Sequence, residues 1–130
     1  MMLLKAFGGA LVTFLVVDAL WIGLVVRNLY QRDVGHLLSD NPSMAAAGAF
    51  YVFYVVGIVW LAVLPALDAG SARVALINGA VLGAVAYGTF TVTNFAVLKG
   101  WTTSLVVTDI AWGIVITAIS AALGYLSAQT

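Results

Sequence analysis

The chain predicts an all-α polytopic membrane protein: four transmembrane helices in an antiparallel bundle, one domain over residues 1–130. Three observations carry this. Hydrophobic residues make up 64% of the chain and charged residues 8%, against about 25% charged in a soluble domain. A chain this short buries too small a fraction of its area to hide so much apolar surface from water. The apolar residues also fall into four runs, each near the roughly 20 residues that cross a hydrocarbon core, with turn chemistry between them.

The first span is expected at residues 3–26. Lys5 and the apolar run behind it have the look of a signal peptide, but the run reaches Val26 with no small-residue cleavage site, so it reads as a retained helix. Residues 27–42 form the one loop of any length. They hold Arg27, Tyr30, Arg32, Asp33, the single His36 and Asp40. Leu29, Val34, Leu37 and Leu38 give this loop an apolar side, so part of it is expected as a short helix lying at the interface. Asn41-Pro42-Ser43 opens the second span, 43–67, since Pro suits a first helical turn and Ser or Asn caps it. Pro65 and then Asp68-Ala69-Gly70-Ser71 end it. The third span, 73–98, stops at Lys99-Gly100-Trp101, and the fourth runs over 103–127. Lipid offers the backbone no hydrogen bonds, so each span is a helix. Connections this short make successive helices antiparallel neighbours.

Net charge is zero, from five basic and five acidic residues. There is no basic patch for nucleic acid and no polybasic lipid-binding tail. Cysteine is absent, which excludes disulfides, thiolate metal sites and cysteine nucleophiles. The face with loops one and three carries Arg27, Arg32 and Lys99, against Lys5 and Arg73 on the other, three to two. That margin leans toward loops one and three in the cytoplasm and leaves dual topology open.

Two aspartates stand inside the spans. Thr13-Phe-Leu-Val-Val-Asp18-Ala-Leu-Trp21 and Thr103-Ser-Leu-Val-Val-Thr-Asp109-Ile-Ala-Trp112 share an order of residues, offset by Thr108, and read as a candidate internal repeat. An Asp at mid-span costs about 2.5–3.5 kcal/mol, so intramembrane acids default to function. The bland alternative is a structural hydrogen-bonded pair bridging helices. Asp18 precedes the end of the first span by about as much as Asp109 follows the start of the fourth, roughly 9–12 Å at the helical rise. Both carboxyls are therefore expected at one depth, toward loops one and three. Gly79, Gly83, Tyr87, Thr91 and Asn94 share a face of the third span, and Asp109, Gly113, Thr117, Ser120 and Gly124 a face of the fourth. Spacing of small residues at three and four is a close-packing signal. The expected ligand-binding set is Asp18, Trp21, Tyr87, Asn94, Trp101, Asp109 and Trp112. Tyr30, Tyr51 and Tyr54 read as interface-belt residues. Arg27 reads as a snorkelling anchor, because a regular helix puts it half a turn out of phase with Asp18. His36 stands alone, so no metal and no cofactor is expected, and no nucleotide or hydrolase motif occurs.

The chain resembles a family of small bacterial membrane proteins catalogued as domain-of-unknown-function family 2177. The resemblance runs nearly end to end. It rests on Val17-Asp18-Ala-Leu-Trp21-Ile-Gly23, on Tyr30 with Gly35-His36-Leu-Leu38, and on Phe50-Tyr51 with Tyr54. Leu64-Pro65-Ala66, Thr93-Asn94 with Lys99-Gly100-Trp101, and Asp109-Ile-Ala-Trp112-Gly113 complete it. It implies a four-helix protein of the bacterial inner membrane, with no established activity and no assigned catalytic residues. Three functions follow as expectations. The first is an intramembrane polar site binding a small amphiphilic or lipid-like ligand, with membrane lipid as partner. An enzyme acting on a lipid head group needs the same geometry, although nothing in the sequence marks catalysis. The second is a proton-coupled transporter working as a homodimer. The third is a non-catalytic subunit of a larger membrane complex.

Overall fold

Side-chain caps and left-handed glycines divide the chain where the turn chemistry expects. The computed structural model describes residues 1–130. Four helices follow one another, α1 (Met2–Leu37), α2 (Met44–Ala69), α3 (Ala72–Val97) and α4 (Thr103–Ala128), each long and apolar enough to cross a membrane. The Ser43 hydroxyl caps α2 by accepting from Ala46 N at 3.2 Å, and Thr102 caps α4 by accepting from Leu105 N at 3.2 Å. Gly70 ends α2 with φ 64° and Gly100 turns loop three with φ 87°, a region closed to most side chains. Both termini and the 70–71 turn lie at one end of the bundle; loops 38–43 and 98–102 lie at the other.

Residues 27–37 depart from the sequence expectation. They do not form a separate interfacial helix; residues 27–34 continue α1, with right-handed helical dihedrals unbroken through Trp21, Val26 and Arg27, and Gly35–Leu37 add a 3-10 turn after Val34 departs from them at φ −137°. No proline interrupts this stretch, and Val34 is buried there. At 36 residues, α1 is about 54 Å long, so its last turns stand clear of a hydrocarbon core of about 30 Å. The helix absorbs one π turn, Ile22–Val26.

A second π turn, Val59–Val63, leads into Pro65 in α2. Proline has no N–H for the carbonyl four residues back. That carbonyl belongs to Leu61, and Asn78 of α3 donates Nδ2 to it at 3.2 Å. A neighbouring helix thus satisfies the backbone group that the proline frees.

α4 is the centre of the bundle. It packs along α1 on one side and α3 on the other, and α1 and α3 flank it without packing on each other. The contacts use the stripes of small residues. A side chain at Gly83 would run into the backbone of Gly113, and one at Gly124 would meet the Ala6 carbonyl, Ala10 and Val63. In lipid no hydrophobic force drives helices together, so this close backbone approach supplies the adhesion. α2 joins through its second half, where Val55, Ile58, Ala62, Val63 and Ala66 are buried. None of residues 44–54 is buried, and the first half of α2 meets α3 through the edge-on rings of Tyr54 and Tyr87, 6.2 Å apart, rather than by close backbone packing. The bundle is therefore tight at the end holding the termini and parted, between α2 and α3, toward loops one and three.

Candidate ligand site

Asp18 and Asp109 face each other's helices. Trp112 follows Asp109 by about one turn, and antiparallel packing brings its indole level with Asp18. Trp112 Nε1 donates to Asp18 Oδ1 at 3.0 Å. Its ring stacks on Trp21, with centroids 4.2 Å apart and planes 5° from parallel. The two Asp-x-x-Trp segments thus pair crosswise. The reciprocal bond is missing. Trp21 Nε1 is buried with no acceptor, and Asp109 Oδ2 instead accepts from the Tyr30 hydroxyl at 2.7 Å. Asp18 and Asp109 retain only 5% and 7% of their exposure.

The π turn explains how Tyr30 reaches Asp109. Twelve residues beyond Asp18, Tyr30 would point roughly 120° away in a regular α-helix. One extra residue taken up in a π turn restores it to within about 20° of the Asp18 face. Trp101 closes the top of this cluster. Its ring meets Tyr30 edge-on at 5.6 Å and Phe90 at 5.8 Å, and its Nε1 donates to Thr91 Oγ1 at 3.1 Å. Thr91 is fully buried and adjoins Asp109. Beyond it, Thr102 caps α4 with its oxygen while its Oγ1–H donates to Asp33 Oδ2 at 2.6 Å. Asp33 also pairs with Arg32 at 2.9 Å, and His36 packs beside Gly100. These contacts fasten the far end of α1 to loop three.

Below the tryptophans, the parting between α2 and α3 forms a cleft of about 420 Å³. Phe14, Phe50, Tyr51, Tyr54, Tyr87 and Phe90 wall it. Phe14 packs edge-on against Tyr51 at 5.4 Å and Tyr54 at 5.5 Å. Tyr51 adjoins Asp18, and Tyr87 lies in the field of both carboxyls. Tyr54 shares a hydrogen bond of 2.9 Å with Thr117 Oγ1. Phe50 and Phe90 are exposed, so the cleft opens sideways from the bundle.

Of the residues expected from the sequence, Asp18, Trp21, Asp109 and Trp112 form one cluster, Trp101 joins it through Tyr30 and Thr91, and Tyr87 stands on the cleft wall against Gly113. Asn94 does not join. It is half-buried and its side chain makes no hydrogen bond, because Thr91, nearly a turn nearer mid-helix, already occupies the position beside Asp109. Tyr30, Tyr51 and Tyr54 are not belt residues; their hydroxyls turn inward to Asp109, Asp18 and Thr117. The spacing of Tyr51 and Tyr54 on one α2 face was the available signal. Tyr30 had none, since its phase depends on the π turn. No three metal-ligating side chains gather anywhere.

No curated protein and no solved structure matches this chain. A family model described as predicted membrane protein (DUF2177) matches residues 3–126, all four helices. With four apolar helices and that match across almost its whole length, the chain belongs to the DUF2177 family of multi-pass membrane proteins.

Proposed function

We propose that this protein takes up an amphiphilic, lipid-like molecule from the surrounding bilayer, its apolar part in the aromatic cleft and its polar contacts on the Asp18–Asp109 cluster. The observation that carries the reading is the cleft itself. It is open sideways, walled by six aromatic rings, and backed by Tyr51 and Tyr87 beside a buried carboxyl. Intramembrane acids that face the protein interior characteristically mark such pathways, and binding pockets combine apolar walls with a few convergent polar groups. The proposed location is the bacterial inner membrane, with loops one and three in the cytoplasm, in line with the excess of basic residues on that face.

The test is mass spectrometry of the protein purified in mild detergent with its co-purifying lipids. Asp18→Asn and Asp109→Asn are expected to lower the retained lipid or change its composition. An unchanged lipid profile in both variants sinks the reading. The same preparation addresses the other two readings, because a stable dimer favours transport and a stoichiometric second protein favours a subunit role.

A further inference from the structure

A second, larger recess lies on the same flank of α1, at the level where the helix leaves the hydrocarbon. It is a groove of about 810 Å³ between α1 and the 38–43 loop. Arg27, Tyr30, Gln31, Ser39 and Asp40 supply its polar lining. Its two charges are opposite, and neither has a partner within the protein, since the one ion pair in the molecule is Arg32–Asp33. Pro42, which opens α2, also lines the groove, while Phe50 and Tyr51 of α2 line the cleft below. Groove and cleft are thus stacked along one seam between α1 and the start of α2.

Their separation matches a lipid. Arg27 lies thirteen residues beyond Phe14, about 20 Å along the helix. Half of a hydrocarbon core is about 15 Å. A lipid of the loop-one leaflet whose headgroup occupies the groove has its acyl chain alongside Tyr51 and ends near the depth of Phe14. Arg27 offers a planar fork of donors suited to a phosphate. Asp40 offers an acceptor for an ammonium. A headgroup carrying only a phosphate charge would pair with Arg27 and leave Asp40 facing it with no ammonium to offset the carboxylate.

Resting on the lipid-binding reading above, we infer that the groove is a headgroup site for a zwitterionic phospholipid, phosphate on Arg27 and ammonium on Asp40. Tyr30 forms part of the same groove and donates to Asp109, so the headgroup sits against the link between the surface and the buried acids.

The experiment is native mass spectrometry of the full chain, titrated with phosphatidylethanolamine and phosphatidylglycerol of identical acyl chains. The wild type is expected to prefer phosphatidylethanolamine. Arg27→Gln is expected to weaken uptake of both lipids about tenfold, the effect of losing one charge-assisted hydrogen bond. Asp40→Asn is expected to abolish or reverse the preference while keeping phosphatidylglycerol uptake. Both residues are exposed, so neither change disturbs the core. Equal uptake of the two lipids by wild type, or a preference that survives Asp40→Asn, overturns the assignment. Displacement of the lipid by an equal concentration of soluble glycerophosphoethanolamine assigns the groove to a free phosphodiester and overturns it as well. A flat headgroup preference with Asp18-dependent lipid retention removes the headgroup site alone. Retention indifferent to Asp18 and Asp109 removes the underlying function.

Discussion

Asn78 and Trp112 each hold a polar group that would otherwise lie orphaned in the bundle. Asn78 covers the Leu61 carbonyl freed by Pro65. Asn78→Ala is expected to cost about 1 kcal/mol, within the range measured for polar contacts between membrane helices. Pro65→Ala restores the intrahelical donor, so the same change at Asn78 is expected to cost less in a Pro65→Ala background. A double-mutant cycle of reversible unfolding in bilayer-like micelles measures that coupling; additive effects refute it. Trp112→Phe keeps an aromatic ring against Trp21 but removes the donor to Asp18. An unsatisfied buried acceptor costs about 1–3 kcal/mol, so the variant is expected to be destabilised by that order. A wild-type unfolding midpoint for Trp112→Phe would show that the indole bond carries no net stability.

At the scale of elements, the π turn in α1 fixes which side chains meet α4. Removing one residue from Ile22–Val26 converts that turn to regular helix and keeps everything beyond it in phase, whereas removing two rotates everything beyond by about 100°. Tyr30 then leaves Asp109, and Asp33 leaves Thr102. The Gly23–Leu24 double deletion is expected to uncouple residues 27–37 from loop three, and the single Gly23 deletion to keep them coupled, both leaving Met2–Trp21 packed, since Ala6, Ala10 and Phe14 are buried independently of the turn. Faster amide exchange confined to 27–37 and 98–102 is the expected signature. Exchange that rises throughout α1 contradicts it. The small-residue stripes give a second prediction. Gly83→Val pushes on the Gly113 backbone and is expected to cost about 1–3 kcal/mol as overpacking. Gly88→Ala has only Ile110 Cδ1 nearby, at 4.0 Å, and is expected to be neutral. Comparable losses in the two variants, read from thermal midpoints in one detergent, speak against the stripe as the α3–α4 contact.

For the whole molecule, the architecture was legible because it follows from composition and punctuation. Four apolar runs separated by Ser43, Gly70 and Thr102 leave little choice of helix ends, and the stripes on α3 and α4 mark the faces that meet. Rise per residue alone puts Asp18 and Asp109 toward the same end of the bundle; in the structure Asp18 is level with Trp112, about one turn beyond Asp109. What was not legible depends on phase and splay. A π turn has no sequence signature in Ile22–Val26, so the string reads Tyr30 as an interface-belt residue of loop one and gives no sign of its bond to Asp109. The lean of the first half of α2 comes from the sum of its packing partners, so the aromatic cleft was invisible in the string Phe50-Tyr51-Val-Phe-Tyr54. Asn94 shares a face with Thr91 but lies nearly a turn farther along α3, so Thr91 is the residue beside Asp109. The topology carries its own test. The chain lacks cysteine, so single cysteines at Ser39 and Ser71 report their faces without background. Labelling of Ser39→Cys only in opened vesicles and of Ser71→Cys from outside is expected for cytoplasmic loops one and three; both positions labelling from both sides would mean dual topology.

The parallel indoles of Trp21 and Trp112 give the molecule an optical gauge. They belong to two different helices, so their transition dipoles couple only while α1 and α4 keep their present sliding position. A split near-ultraviolet dichroism signal that collapses on a shift of about one residue rise, about 1.5 Å, would let occupancy of the neighbouring cleft be followed with no added dye.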